Sequence, residues 1–327
     1  MISLWGMEVL IESDMASNSG SRYDGGQVYH NNPDATKVDP RNSTLPKKSN
    51  FKLPKVELLK ACAPGYNRPM IKTLNVARYI TPLREGGSLP AIVEADDSEL
   101  YVMKFVGAGQ GAKALIAELV AGEIGRTLGL PVPEIVFMTL DPRFGNNESH
   151  DEIRDLLQAS AGLNLALRYL PKAFGFNPLL KPEPDPGFAS AVVWFDAYTV
   201  NVDRTPRNPN ILWWQNGLWL IDHGAALYFH HGATPDEFAA RSANPFPMTG
   251  QHVLLPFASA LEEADLVLRE RLSDQRIDQI TAAIPDEWLD NGSHPASRAA
   301  YADYLKRRLA ASDVFLQEAI RARSTHA

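Results

Sequence analysis

The chain has 327 residues and a formal net charge of -7 at pH 7, with acidic and basic residues interspersed along it. No basic cluster marks a nucleic-acid surface, and no apolar run reaches the length of a membrane span. Cys62 is the one cysteine, so the chain has no internal disulfide framework. These features predict a cytoplasmic protein whose main ligand is neither nucleic acid nor membrane.

Residues 1–69 differ in composition from the rest of the chain. The stretch from Ser17 to Asn50 is rich in Ser, Asn, Gly, Pro and Asp and lacks apolar periodicity, so it cannot bury enough surface to offset the ordering of its backbone. Two interpretations stay open, a disordered N-terminal tail and a misplaced start whose true first residue is Met70. The folded domain is predicted to span residues 70–327.

From Leu74 onward the pattern is that of short strands separated by turn clusters. The predicted strands are Val76–Thr81, Ala91–Ala95 and Leu100–Val106. Strands in such close succession favour antiparallel pairing. The turn after the first strand contains Gly86, Gly87 and Ser88, which are read either as a plain hairpin turn or as glycines that let backbone N–H groups approach an anion.

Lys104 places a charge in the middle of the third predicted strand. Such a residue either faces solvent or points into a site where an opposite charge pairs with it. The next element is a predicted helix at Ala114–Leu128, which carries Glu118 and Glu123. Glu123 falls on another part of the helical wheel and is predicted to face solvent.

The remaining elements follow from apolar spacing and turn residues. We predict strands at Glu134–Leu140 and Leu163–Leu170, and helices at Asp151–Ala159, Pro186–Val200, Leu254–Leu268, Ser273–Ala283 and Ser297–Ala322.

The clearest local pattern is a β-hairpin near residue 215. Two apolar runs, Ile211–Trp214 and Leu218–Ile221, flank the turn Gln215-Asn216-Gly217. Asn-Gly is a strong signal for a type I′ turn, which needs positive φ at both central positions.

The hairpin brings the segment around Asp203 and Asn210 beside Asp222. Phosphoryl transfer uses such a set, because one Asp orients the attacking hydroxyl while an Asn and a second Asp hold magnesium. The order of Asp203, Asn210-Ile211-Leu212, a hairpin and Asp222-x-Gly224 resembles the catalytic and metal-binding loops of the protein-kinase superfamily. It is closest to the short stand-alone HipA-like kinases.

The resemblance runs from about Leu74 to the C-terminal helix and implies an α+β, two-lobed kinase-like fold. The expected N-lobe, about residues 70–170, is an antiparallel sheet, and the expected C-lobe, about residues 171–327, is mainly helical.

The resemblance also implies roles for the residues after Val200. Asp203 is the expected base or hydroxyl orienter, and Asn210 and Asp222 are the expected Mg2+ ligands. Asn208 is the alternative ligand, because HipA-like proteins commonly place this Asn five residues after the Asp. Asn210 is favoured because it directly precedes the strand.

Upstream, the resemblance implies the groups that hold ATP. Lys104 is expected to clamp the α- and β-phosphates, and Glu118 to hold Lys104. The glycine-rich residues 107–113 are interpreted as a flexible link that closes over the nucleotide, with a purely structural role as the alternative. The remaining expected nucleotide contacts are the turn residues Gly86, Gly87 and Ser88 and the strand-end residues Arg168, Tyr169 and Leu170.

The expected function is therefore an ATP- and Mg-dependent kinase, of the Ser/Thr type and acting on a protein. Alternatives are a small-molecule kinase on the same fold and a pseudokinase that binds nucleotide or a partner without catalysis. His223 stands where Phe is usual, and with His230 and His231 it raises a zinc-hydrolase alternative, although their spacing fits no familiar zinc motif.

Overall fold

The computed structural model describes residues 71–83, 89–289 and 297–325, which fall within one compact unit. The strands are β1 (Thr73–Pro82), β2 (Ala91–Ala95), β3 (Leu100–Lys104), β4 (Ile135–Leu140), β5 (Gly162–Arg168), β6 (Phe174–Gly175), β7 (Ile211–Trp214) and β8 (Gly217–Leu220). The helices are α1 (Ala112–Leu128), α2 (Asp151–Ala159), α3 (Pro186–Thr199), α4 (Pro235–Arg241), α5 (Leu261–Arg271), α6 (Asp274–Ala282), α7 (Asp286–Leu289), α8 (Arg298–Ala310) and α9 (Ser312–Ser324). The predictions for residues 1–69, including Cys62, and for Gly86, Gly87 and Ser88 concern parts of the chain outside these ranges.

The first five strands form a closed barrel in the order β1-β2-β3-β5-β4. The predicted antiparallel pairing of β1 with β2 and of β2 with β3 is confirmed. The prediction of a wholly antiparallel sheet is wrong, because Thr73–Asn75 pairs in parallel with Phe137–Thr139 and closes the barrel. This contact joins the ends of strands more than 60 residues apart, so local periodicity carries no signal for it. The division into two lobes near residue 170 stays a prediction.

Alternation along β3 decides which side chains reach the functional site. Tyr101 and Met103 belong to the apolar cluster that fills the barrel. Successive side chains of a strand point to opposite faces, so Val102 and Lys104 point away from that cluster. Lys104 is nevertheless buried, because α1 covers this face of the strand.

Helix α1 is buried on most of its circumference and is fixed at its end by a glycine. Gly129 has a φ of 84°, a left-handed conformation that glycine adopts without strain, and its N–H donates to the carbonyl of Arg126. Gly125 lies where a Cβ would stand 3.3 Å from the ring of Phe195. The helix therefore packs closely on α3.

Helix α3 is the buried centre of the helical region. It is buried on all sides and mostly apolar, which is typical of a helix surrounded by others. The polar groups of its aromatic side chains find partners on neighbouring helices. The indole N–H of Trp194 donates to Asp265 of α5 at 2.7 Å, and the Tyr198 hydroxyl donates to the carbonyl of Leu305 of α8 at 3.0 Å.

The predicted hairpin is present as β7 and β8, with β6 alongside in a second, three-stranded sheet. The turn is centred one residue earlier than the Asn-Gly pair suggests. Trp214 pairs with Gly217, and the positive φ angles fall on Gln215 (46°) and Asn216 (63°). Asparagine tolerates positive φ, which leaves Gly217 free to begin β8.

Two predicted C-terminal helices differ from the observed ones. The helix predicted at Leu254–Leu268 begins only at Leu261, because the preceding residues form a separate 3-10 turn, Leu255–Phe257, that contains a proline. The helix predicted at Ser297–Ala322 is two helices that meet at Ala311, where the backbone leaves the helical conformation. None of the helices in the described part of the chain combines the length and the apolarity that a membrane span requires.

Candidate active site

A buried ion pair joins β3 to α1. The ammonium group of Lys104 donates to one carboxylate oxygen of Glu118, which is fully buried. Burial alone lowers the pKa of Lys104, but the nearby carboxylates of Asp222 and Glu118 more than offset this and raise it above its usual value. Burial raises the pKa of Glu118, but Lys104 and His223 bring it well below its usual range. Both groups are therefore ionised at neutral pH.

Asp222 completes this cluster from the end of the hairpin. Its Oδ1 lies 2.5 Å from the Nζ of Lys104, and its side chain keeps 23% of its surface exposed. The backbone at Asp222 has a φ of 55°, a conformation that Asp tolerates better than most residues. The ammonium group of Lys104 thus lies between two carboxylates. That of Glu118 is enclosed, and that of Asp222 is partly exposed to solvent.

Glu123, predicted to face solvent, is instead buried. Its carboxylate lies 3.4 Å from the Nε of Arg126, one turn further along α1. The prediction failed because it assumed that α1 has an exposed face at this position. The structure thus brings Lys104 to Glu118 and not to Glu123.

Asp203 lies on the loop between α3 and β7, half-buried, with two amides on its carboxylate. Asn208 donates from Nδ2 to Oδ2 at 2.8 Å, and Asn210 makes a longer contact of 3.4 Å with the same oxygen. The pKa of Asp203 is raised, first by burial and then by the negative charge of Asp222, while the two amides act in the opposite direction. An aspartate with a raised pKa has a stronger affinity for a proton, as a general base requires.

Arg204 fixes the position of this loop from its buried side. It is 1% exposed, and its Nε donates to Asp196 of α3 at 2.5 Å. Its Nη1 donates to the backbone carbonyl of Asn210 and, at 3.4 Å, to that of Ile221. Arg204, which follows Asp203 in the chain, therefore links this loop to the backbone of Asn210 and to that of Ile221, the residue before Asp222.

Asp196 and His252 were missed by the sequence reasoning. The carboxylate of Asp196 also accepts from the Nε2 of His252 at 2.9 Å and from Asn201 at 2.9 Å. His252 Nδ1 accepts from the N–H of Leu254, so the imidazole proton is on Nε2. A charged residue within the apolar helix α3 is a signal that could have pointed to Asp196, whereas nothing in the local sequence points to His252.

We expect Asp196→Asn to lower the free energy of unfolding by about 3–5 kcal/mol at pH 7, because it leaves the buried charge of Arg204 unpaired. The pKa of Asp196 is lowered in the folded protein, since Arg204 and His252 outweigh its burial. Its contribution is therefore complete above the unfolded pKa of about 3.9 and is lost as the pH falls below it.

Urea unfolding of the wild type and of Asp196→Asn measures the loss of stability at pH 7, and the difference between the two proteins should shrink as the pH falls from about 4 to about 3. The control is Asp303→Asn, which breaks an exposed pair with Arg307 and should cost less than about 1 kcal/mol. Equal losses in the two variants would contradict the role assigned to Asp196.

The residues predicted to line a base pocket lie at the end of the barrel. Arg168 pairs on the surface with Glu99 at 2.5 Å, and Leu170 is buried. The backbone N–H groups of Arg168 and Tyr169 donate to carbonyl oxygens at the starts of β4 and β3. These two N–H groups are thus used within the barrel, and the assignment of the three residues to a base pocket stays a prediction.

The glycine-rich residues 107–113 are attached to the barrel where they begin. The N–H of Val106 donates to Asn164 at 2.8 Å, and that of Gly107 donates to Ser160 at 3.1 Å. These contacts favour the structural role over a flexible link that closes over a nucleotide.

The two adjacent histidines contact each other and do not form part of this site. Their Nε2 atoms are 3.1 Å apart, and His230 Nδ1 lies 3.1 Å from the hydroxyl of Tyr301. Burial lowers the pKa of His230 well below its usual value. Within the ranges that the structure describes, no group of three or more His, Cys, Asp or Glu side chains could hold a metal ion.

A buried lysine held by a helix glutamate, beside an aspartate at the end of a hairpin, is the arrangement that kinases use to hold a nucleotide. The family model for HipA-like kinases matches residues 76–315, well over half of the chain, and the chain belongs to this family. The resemblance seen in the sequence is thereby confirmed.

Among solved structures, the chain shows low similarity to two proteins. One is the proinflammatory kinase CtkA of Helicobacter pylori, with 16% identity and a TM-score of 0.46 over 79% of this chain and 99% of that chain. Another is the Golgi casein kinase with Mn and ADP bound, with 12% identity and a TM-score of 0.40 over 77% of this chain and 74% of that chain. No curated protein shows significant similarity. The family assignment rests on the family model, since these structural likenesses are distant.

Proposed function

We propose that this chain is an ATP- and Mg-dependent phosphotransferase that phosphorylates a hydroxyl group, with a Ser/Thr residue of a protein as the acceptor. The observation that carries the proposal is the position of Lys104 between Glu118 and Asp222. An ionised lysine at the barrel wall would bind nucleotide phosphates, and the enclosed carboxylate of Glu118 would keep it in place.

The donor groups present suit a divalent cation. Asp222 offers a partly exposed carboxylate, and the charge of Asp222 raises the pKa of Asp203, second only to burial among the causes. Two acidic groups that repel each other are stabilised by a bound cation, and carboxylate and amide oxygens are the ligands that Mg2+ prefers. Bound magnesium would supply neutralisation of phosphate charge.

Asp203 is assigned to the acceptor. It would accept the proton of the acceptor hydroxyl while the hydroxyl oxygen forms a bond to the γ-phosphorus, and the bond from that phosphorus to the β-γ bridging oxygen breaks, so that ADP leaves. Arg204 holds the loop in place from below and does not contact the reacting atoms.

Asn210 is the proposed amide ligand of the metal, in preference to Asn208. The carbonyl of Asn210 accepts from the N–H of Ile221 at 3.1 Å, which places Asn210 beside the residue that precedes Asp222. Asn208 instead closes a turn through reciprocal backbone hydrogen bonds with Thr205 at 3.1 Å.

We expect Asn210→Gly to raise the Mg2+ concentration needed for half-maximal activity by about tenfold or more, the size of effect typical of a lost metal contact. Glycine is chosen because Asn210 has a φ of 49°, which glycine accepts without strain. Asn208→Ala, the matched variant, should stay within about threefold of wild type. A magnesium titration of activity at saturating ATP measures both variants. A larger effect in Asn208→Ala than in Asn210→Gly would assign the ligand to Asn208.

The acceptor class is tested with γ-labelled ATP, Mg2+ and the full chain, offered a protein mixture or a panel of small alcohols. Label on serine or threonine of a protein is the expected result. Label on a small alcohol would make the protein a small-molecule kinase. ATP binding with no labelled product on either acceptor would favour the pseudokinase alternative.

A further inference from the structure

His223 directly follows Asp222 and is fully buried. Its Nδ1 lies 3.3 Å from one carboxylate oxygen of Glu118, whose other oxygen accepts from Lys104. The edge of its ring packs on Phe195 of α3, with the ring centroids 5.7 Å apart. His223 thus contacts α1 and α3 from the loop that carries Asp222.

The hydrogen bond fixes the tautomer of His223. Glu118 has a lowered pKa and is ionised, so its oxygen can only accept. Nδ1 of His223 therefore carries the proton and donates. Nε2 is buried without a hydrogen-bond partner among the described residues, so Nδ1 makes the hydrogen bond of this ring.

We propose that His223 is a positioning residue for the nucleotide site, an inference that rests on the proposed function. By donating to Glu118, it holds that carboxylate in the rotation that presents its other oxygen to Lys104. Lys104 in turn donates to Asp222, the neighbour of His223. These three side-chain contacts and the peptide bond between Asp222 and His223 form a closed ring that ties α1 and β3 to the loop after β8.

The ring has a consequence for ligand binding. Phosphates that engage Lys104 and a metal that engages Asp222 act on two members of one connected set. The position of Glu118 on α1 is thereby coupled to the loop of Asp222 through His223. Packing alone does not account for histidine here, because an apolar side chain would fit against Phe195 without burying an unpaired Nε2.

The test uses two nearly isosteric variants that differ in one donor. Asn in place of His223 puts an amide N–H near the position of Nδ1, whereas Leu has a similar shape and no donor. We expect His223→Leu to raise the KM for ATP about tenfold or more, and His223→Asn to stay within about threefold of wild type. In a Glu118→Ala background, His223→Leu should add little further effect, since the acceptor is already absent.

Equal KM values in the two variants would overturn the positioning role while leaving the proposed function intact. Absence of ATP binding by the wild type would instead refute the proposed function. Long-range 1H–15N NMR of the imidazole in the full chain separately tests the hydrogen bond from His223 to Glu118. A proton on Nδ1 is expected, and a proton on Nε2 would show that His223 does not hold Glu118.

Discussion

Replacing Asp203 by Asn is expected to lower the rate of phosphoryl transfer by about 10²- to 10⁴-fold, the range that a positioned general base supplies. The affinity for Mg-ATP should change little, because the proposed base acts on the acceptor. The variant is nearly isosteric, and its amide can still contact Asn208. Single-turnover rates at saturating ATP, together with a direct binding titration, separate the two quantities.

The control for this variant is Asp303→Asn, the same chemical change at an exposed ion pair on α8. It should leave both rate and affinity unchanged. A rate for Asp203→Asn within a few-fold of wild type would refute the role assigned to Asp203. A parallel loss of ATP affinity would point to a metal-binding role for this residue.

The pH dependence of the wild-type rate follows from the same carboxylate. Asp203 must be ionised to accept a proton, and its pKa is raised by burial and by Asp222. The rate should therefore fall as the pH drops through a value above the ordinary aspartate pKa of about 3.9. The decline should start at a higher pH than the loss of folded protein, which circular dichroism measures in parallel.

Replacing Lys104 by Met is expected to lower activity by about 10²- to 10³-fold, since a fixed charge that stabilises the phosphates is lost. It should also lower the free energy of unfolding by about 3–5 kcal/mol, because the fully buried Glu118 keeps its charge without its cation. Activity assays and urea unfolding at pH 7 measure the two effects.

The loss of stability in Lys104→Met should depend on pH in a predictable direction. In the wild type the pKa of Glu118 is lowered, so its contribution is present above the unfolded pKa of about 4.3 and is lost below it. Without Lys104, burial raises that pKa, and the variant gains stability as Glu118 takes up a proton. The difference between the two proteins should therefore shrink from pH 7 to pH 5.

A second substitution separates stability from function. Glu118→Met in the Lys104→Met background removes the unpaired charge and should restore most of the stability, because apolar replacement of a whole buried pair is close to neutral. Activity should stay low. Restored activity in this double variant would contradict the assignment of Lys104 to the nucleotide site.

Local sequence signals predict the elements of this fold better than their assembly. Ala91–Ala95 and Asp151–Ala159 were predicted with the observed limits, because turn residues bound both. The closure of the barrel by β1 and β4 was not predictable, since it depends on a contact between distant strand ends. The break at Ala311 was also hidden, because apolar spacing continues from Tyr301 to Phe315 across it.

The candidate site shows the same limit. Lys104 and Glu118 were recognisable as charges within apolar elements, and Asp203 and Asp222 as residues at the open end of a hairpin. The partners that hold them were not recognisable. His252 reaches Asp196 from 56 residues away, and His223 reaches Glu118 from 105 residues away.

Thermal unfolding of the full chain with ATP, with Mg2+ and with both ligands tests the central claim most directly, because a ligand that binds the native state raises the unfolding midpoint. We predict a large shift only when ATP and Mg2+ are present together, and its loss in Lys104→Met/Glu118→Met. The absence of any shift at millimolar ligand, or an equal shift in that double variant, would contradict a Mg-ATP site built on Lys104 and Asp222.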